Sequence, residues 1–205
     1  RLKRNDHGFR DKSAKIEKAQ ARDALGLPQG VVLLGCAARL HQKKQVDLAI
    51  RLLGENKEHH LALAGQGQER ANLEALAETL GVSERLHFVG ELDTAGMGVF
   101  LAALDCFVFP SAMETFGLAP VEAAQAGVPV VANDLEVLRE VLAVDGEPCA
   151  LFVDARDTPA FAAAVRRMLA DNELRTRLTT LGPRLSERYP LDAMIEEYLR
   201  LMVSA

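Results

Sequence analysis

The sequence predicts an α/β protein: a doubly wound, parallel, Rossmann-like sheet with helices on both faces, followed by C-terminal helices. Three observations carry this. Six short apolar runs recur, at Val31–Ala38, Leu61–Ala64, Leu86–Val89, Cys106–Phe109, Val128–Ala132 and Ala150–Val153. Each is continuous rather than alternating, as expected for strands buried on both faces. Helical stretches separate the runs, which makes the strands parallel, and right-handed crossovers wind such a sheet on both sides.

The elements follow in order. Residues 1–29 are charged and weakly periodic; they predict a linker or interdomain segment with a solvated helix over Ala14–Leu25, ended by Gly26. Arg1, Lys3, Arg4, Arg10, Lys12 and Lys15 give this stretch a positive lean, open to a docking role as well as to simple solvation. Residues 30–183 predict the main domain. Its helices are expected near Val46–Leu53, Glu69–Leu80, Val99–Ala103, Pro120–Ala126, Leu135–Leu142 and Pro159–Ala170, with another over Glu173–Tyr189. Residues 184–205 predict C-terminal helices, including Leu191–Met202 with Leu191, Ile195, Leu199 and Met202 at helical spacing.

Composition excludes several classes. The chain has 205 residues, 49% hydrophobic and 26% charged, enough apolar material for a folded core. Its 24 Lys and Arg against 29 Asp and Glu give a net charge of −5, so a nucleic-acid partner is not expected. No apolar run reaches the roughly 18 residues of a membrane span. Cys36, Cys106 and Cys149 have no metal or disulfide spacing, which favours a reducing cytoplasm, and Cys36 and Cys106 read as buried small hydrophobes. The five histidines show no metal spacing, and no metal is expected. The first residue is Arg1 rather than Met, so the chain is read as a fragment.

Ligands of open parallel sheets bind outside the carboxyl ends of the strands. The loop after the first run, Arg39-Leu40-His41-Gln42-Lys43-Lys44, carries three Lys or Arg cations: a phosphate site or a solvated basic loop. Gly65-Gln66-Gly67 follows the second run, either a tight turn or a backbone that approaches a ligand. The loop after the fourth run reads Pro110-Ser111-Ala112-Met113-Glu114-Thr115-Phe116-Gly117-Leu118-Ala119-Pro120-Val121-Glu122. Pro120 suits the first turn of a helix, and Glu122 is expected in that same turn, as a cap or as a ligand-binding carboxylate. Successive amides from Thr115 to Leu118 can face an anion, with Arg39 and Lys44 on its other side. Carboxylates beside a diphosphate repel it unless they bind uncharged hydroxyls, which a ribose and a hexose supply.

These residues resemble the C-terminal, donor-binding domain of retaining GT-B glycosyltransferases of family 4, over about Val31 to Tyr198. The Glu114-x7-Glu122 spacing lies within a matching stretch from Pro110 to Ala132, and Arg39 with Lys44 resembles the family's phosphate-binding pair. Leu63-Ala64-Gly65-Gln66-Gly67 and Leu86-His87-Phe88-Val89-Gly90 fall in register with further landmarks, and Glu140 matches a frequent acidic position. The resemblance implies that Arg39 and Lys44 neutralise the leaving diphosphate and that Glu114 contacts the transferred sugar. It further implies that the amides of Phe116, Gly117 and Leu118 bind sugar and diphosphate, and that Glu122 holds the ribose. Gly65, Gly67, Val89, Gly90 and Glu91 would complete the nucleotide site, with the base near the last three. Two departures stand out: Gln45 occupies a usual glycine position, and Asn133-Asp134-Leu135-Glu136 replaces a glycine pair.

The resemblance implies transfer of a sugar from a UDP- or GDP-linked donor to an acceptor hydroxyl, with no separate cofactor. Retention would come from front-side attack assisted by the leaving phosphate, with Glu114 orienting the sugar rather than acting as nucleophile. The expected setting is bacterial cell-surface polysaccharide or glycolipid synthesis in the cytoplasm, with the inner face of the plasma membrane and peripheral membrane association of the full-length protein as further options. A glycan or glycolipid acceptor would bind a missing N-terminal domain, without which this fragment is expected to be inactive. The alternatives are a GT-B-like sugar-nucleotide 2-epimerase and a non-catalytic sugar-nucleotide-binding module. The terminal helix is expected to pack loosely or against a neighbour.

Overall fold

A computed structural model describes residues 16–189. The predicted terminal helix Leu191–Met202 and the basic residues up to Lys15 lie outside these described residues.

The chain runs α1 (Lys18–Ala24), β1 (Val32–Ala37), α2 (Val46–Glu55), β2 (His59–Ala64), α3 (Arg70–Thr79), β3 (Leu86–Gly90), α4 (Thr94–Ala103), β4 (Cys106–Phe109), α5 (Leu118–Gln125), β5 (Val130–Asn133), α6 (Glu136–Val141), β6 (Ala143–Val144), β7 (Glu147–Pro148), β8 (Leu151–Val153), α7 (Thr158–Ala170), α8 (Asn172–Leu181) and α9 (Leu185–Arg188). Six strands form one sheet in the order β3-β2-β1-β4-β5-β8, and every pairing is parallel. This is the predicted doubly wound arrangement. The order reverses between β1 and β4, where a crevice opens at the carboxyl ends.

Apolar side chains alternate between two cores. Leu33 and Ala37 face one, with Phe100, Phe107 and Val121; Leu34 and Cys36 face the other, with Ile50, Leu61 and Phe161. Both faces of the sheet are therefore dry, which is why its strands lack a polar alternation. Burial also pushes the Cys36 and Cys106 thiols up to about 12, so both stay protonated and act as small hydrophobes.

Several boundaries differ from the sequence expectation. The helix predicted from Ala14 begins at Lys18. Strand β2 starts at His59, since a flank of the sheet accepts the two imidazoles of His59 and His60. Helix α4 starts at Thr94 rather than Val99: Asp93 caps it by accepting the Gly96 amide at 2.7 Å, a signal hidden by Gly96 and Gly98. The stretch predicted as one helix over Glu173–Tyr189 breaks at Gly182-Pro183, where Pro183 lacks the amide a continuous helix needs. A Cβ at Gly182 would lie 2.2 Å from the Ala124 carbonyl oxygen, so the turn that follows α8 packs directly against the backbone of α5. A small antiparallel hairpin, β6–β7, was not expected; it turns at Asp145-Gly146, both with positive φ. Leu185, in the predicted C-terminal segment, is fully buried in the same core as Phe100.

Candidate active site

The loops after β1 and β4 meet across the crevice. The Lys43 carbonyl accepts the Ala112 amide at 3.1 Å and the Ser111 hydroxyl at 3.4 Å. Lys44 Nζ donates to Glu114 Oε1 at 2.7 Å. The Glu114 side chain is 8% exposed and that of Lys44 28%. Arg39 stands exposed on the same rim, in no ion pair among the described residues. The predicted pair of cations and the predicted carboxylate are thus together, but Lys44 and Glu114 bind each other.

Gly117 adopts φ +88° and caps α5, so the helix begins at Leu118, two residues before the expected start. Pro120 becomes its third residue, where a missing N–H still costs nothing because the first four donors are unpaired anyway. Glu122 is therefore corrected to the second turn, not the first, and is not a capping residue. The amides of Thr115, Phe116, Gly117, Leu118 and Ala119 find no acceptor among the described residues. They form a row of donors at the positive end of α5. Leu138 closes the floor: a Cβ on Gly117 would lie 2.5 Å from Leu138 Cδ2. The Phe116 ring meets Tyr189 edge-on at 5.1 Å. Glu122 is half-buried, and burial raises its carboxyl above the ordinary range.

Gly65 and Gly67 bring the loop after β2 onto the loop after β1. A Cβ on Gly65 would lie 2.1 Å from the Ala38 carbonyl oxygen, and one on Gly67 2.2 Å from that of Leu40. Leu40 N donates to Gln66 O at 2.9 Å and Glu69 N to Leu40 O at 3.1 Å. This packing by itself requires glycine at both positions. Val89, Gly90 and Glu91 lie at the end of the edge strand β3, two strands from β1, roughly 10 Å away at normal strand spacing.

Two supporting residues had no role assigned from sequence. Asn133 is buried at the end of β5; it donates to the Ser111 carbonyl at 3.0 Å and accepts the Ala155 amide at 3.0 Å. It therefore ties the Ser111–Glu114 turn to the strands beside it. Gln45 takes φ +46°, the left-handed region, and its Oε1 is buried with no partner among the described residues. The signal was present: this is the position where the resembled family has glycine.

A wide cleft of about 1150 Å³ opens at the other end of the sheet, beside Val32, Asp105 and Pro129. It lies at the amino ends of the strands, away from the strand-order reversal where open parallel sheets bind ligands, so the β1/β4 crevice is the candidate site. No group of three His, Cys, Asp or Glu side chains among the described residues could hold a metal ion.

Residues 17–184 match the family described as glycosyl transferases group 1. The chain belongs to that family. Among its relatives is the lipopolysaccharide core biosynthesis glycosyltransferase LpsE of Rhizobium meliloti, 35% identical over 89% of this chain and 53% of that protein. The D-inositol 3-phosphate glycosyltransferase of Corynebacterium urealyticum is 30% identical over 88% of this chain and 45% of its own length. The chain thus spans about half the length of these curated relatives. Among solved structures, sucrose-phosphate synthase from Thermosynechococcus elongatus superposes with a TM-score of 0.75 at 26% identity, over 91% of this chain and 49% of that one. Anabaena HepE in complex with UDP-glucose gives 0.77 at 20% identity, over 92% and 52%. The C-terminal domain of the glycosyl transferase group 1 protein LpcC from Francisella tularensis gives 0.69 at 22% identity, over 85% of this chain and 93% of that domain. The fold is that of one half of a GT-B glycosyltransferase.

Proposed function

We propose that this group 1 domain binds a nucleoside-diphosphate sugar and that the enzyme it belongs to transfers the sugar, with retention, to an acceptor hydroxyl. The observation that carries this is the Lys44–Glu114 bond, which brings the loop after β1, with Arg39 exposed on it, against the loop whose amides from Thr115 to Ala119 have no acceptor among the described residues. A diphosphate suits both sides: the cations of the β1 loop on one, amide donors and the α5 dipole on the other. UDP-glucose bound to the HepE neighbour, and the lipopolysaccharide pathway of the LpsE relative, support a UDP-type donor and a cell-surface polysaccharide or glycolipid product.

In the reaction the bond between the anomeric carbon and a diphosphate oxygen breaks, and that oxygen gains negative charge. The acceptor oxygen bonds to the same face of that carbon, and its proton passes to the departing diphosphate. Arg39, Lys44 and the amides stabilise the developing charge, usually the largest single contribution to such catalysis. Because these groups supply the positive charge, the step needs no metal ion. Glu114 accepts sugar hydroxyls. Glu122, with its carboxyl raised by burial alone, gains hydrogen-bond donors from ribose hydroxyls. The base lies toward Val89, Gly90 and Glu91. The acceptor binds a second domain of the complete enzyme, which works in the cytoplasm at the membrane face; no helix among the described residues is long and apolar enough to cross a membrane.

A thermal-shift panel of UDP, GDP, ADP and their sugars tests the reading. A ligand at 100 times its Kd adds about 2.7 kcal/mol to stability. Failure of every nucleotide to raise the melting temperature, or crystals showing a nucleotide bound away from this crevice, would overturn it.

A further inference from the structure

We infer that the Lys44–Glu114 ion pair is a latch that couples the two halves of the donor: the diphosphate must open it, and opening it releases Glu114 for the sugar. The inference rests on the reading proposed above. Two groups meant for opposite ends of one ligand are bonded to each other at 2.7 Å, with Glu114 only 8% exposed. A diphosphate entering with the pair intact would set its own charges against a buried carboxylate. Lys44 therefore has to exchange one anionic partner for another, and Glu114 is left with a carboxylate whose compatible new partners are neutral hydroxyls. A lone sugar brings no anion to take Lys44, so it cannot open the pair.

The surrounding backbone is arranged for such an exchange. Gln45, the next residue, sits in the left-handed region with a buried oxygen that has no partner among the described residues, beside the residue that must change partners. The loop is pinned through the Lys43 carbonyl to Ser111 and Ala112, which leaves the Lys44 side chain able to move without carrying the main chain with it. Arg39, on the rim and outside any described ion pair, can make the first contact with the incoming anion.

The test is a double-mutant cycle on UDP and GDP binding to this chain by calorimetry, with wild type, Glu114→Gln, Lys44→Gln and the double variant, each checked for an unchanged melting temperature. Lys44→Met serves as a second background. The latch predicts that Glu114→Gln tightens nucleotide binding about fivefold or more, within the usual range of coupling between sites. It also predicts that the same change has no effect once Lys44 is gone. An unchanged or weaker affinity for Glu114→Gln overturns the latch. So does an equal gain in the Lys44→Gln background, which would mean simple repulsion between Glu114 and the phosphates. Wild type that binds neither nucleotide overturns the donor-site reading itself, and the latch with it.

Discussion

The two ends of the sheet each hold a cation against a carboxylate, and the contrast between them separates architecture from chemistry. At the amino end Arg22 is buried and nearly saturated: it donates to the carbonyls of Ala103, Pro28 and Val31 and to Asp105 at 2.7 Å. Asp105 in turn accepts the Leu33 amide and Lys18. Burial pushes the Asp105 carboxyl up, but the Leu33 amide, Lys18 and Arg22 together outweigh it and hold the group below the ordinary range. Four of the five guanidinium N–H donors are engaged, and the node fastens α1 to the start of β1 and the end of α4. At the carboxyl end Lys44 and Glu114 share one bond, beside free amides, an exposed Arg39 and a strained Gln45. A saturated node can only hold the fold together; an unsaturated one has capacity left for a ligand.

The largest effect that would break this contrast is on stability. Asp105→Ala strands Arg22 as a buried, uncompensated charge, a loss of about 3–5 kcal/mol. The expected fall in melting temperature is roughly 6–20 °C, with nucleotide affinity of the folded protein unchanged. Glu114→Gln keeps an oxygen that can accept from the partly exposed Lys44, so it should cost only about 1 kcal/mol. Comparable destabilisation by the two variants would erase the distinction.

Next comes turnover. Arg39→Ala and Lys44→Ala in the complete enzyme should each lower kcat by about 10²–10³, or ~3–4 kcal/mol of transition-state stabilisation. Their melting temperatures should match wild type. Wild-type kcat in both variants would place the chemistry elsewhere.

A smaller effect links site and scaffold. Asn133→Ala removes one donor and one acceptor from buried partners, about 2 kcal/mol in all. Because Ser111 loses its tether, UDP affinity measured by calorimetry should fall as well. Stability loss with intact affinity would make Asn133 part of the architecture alone.

The smallest effect tests a third region, the edge of the sheet, where His60 Nδ1 and His87 Nε2 lie 3.0 Å apart in stacked rings. His59, His60 and His87 are all held below the ordinary imidazole range, chiefly by burial. The unfolded chain therefore takes up protons first as pH falls through about 6.5. Their contribution to stability is complete above that pH and declines below it. Melting scans between pH 7.5 and 5.5 should show the decline, and His60→Gln should reduce it. A flat profile would remove these residues from the acid response.

The strands were legible because burial on both faces writes a continuous apolar run, and the loops at the carboxyl ends were legible because their chemistry is unusual. Helix and hairpin edges were less so. The glycines of α4 masked a sound Asp93 cap, and Asp145-Gly146 carried a turn signal too short to announce strands of two residues. The placing of Glu122 turned on Gly117, whose positive φ starts α5 earlier than Pro120 suggests. The Lys44–Glu114 bond and the role of Asn133 join residues 70 and 22 positions apart. No local pattern encodes such contacts; only the closed fold does.

The contact of Gly65 and Gly67 with the main chain at Ala38 and Leu40 has an effect on how genetic data here should be interpreted. A single methyl group added at either glycine would shove the segment that presents Arg39, misaligning it although no donor atom need ever touch the added carbon. Variants at these two positions will look like losses of substrate recognition when their cause is mechanical.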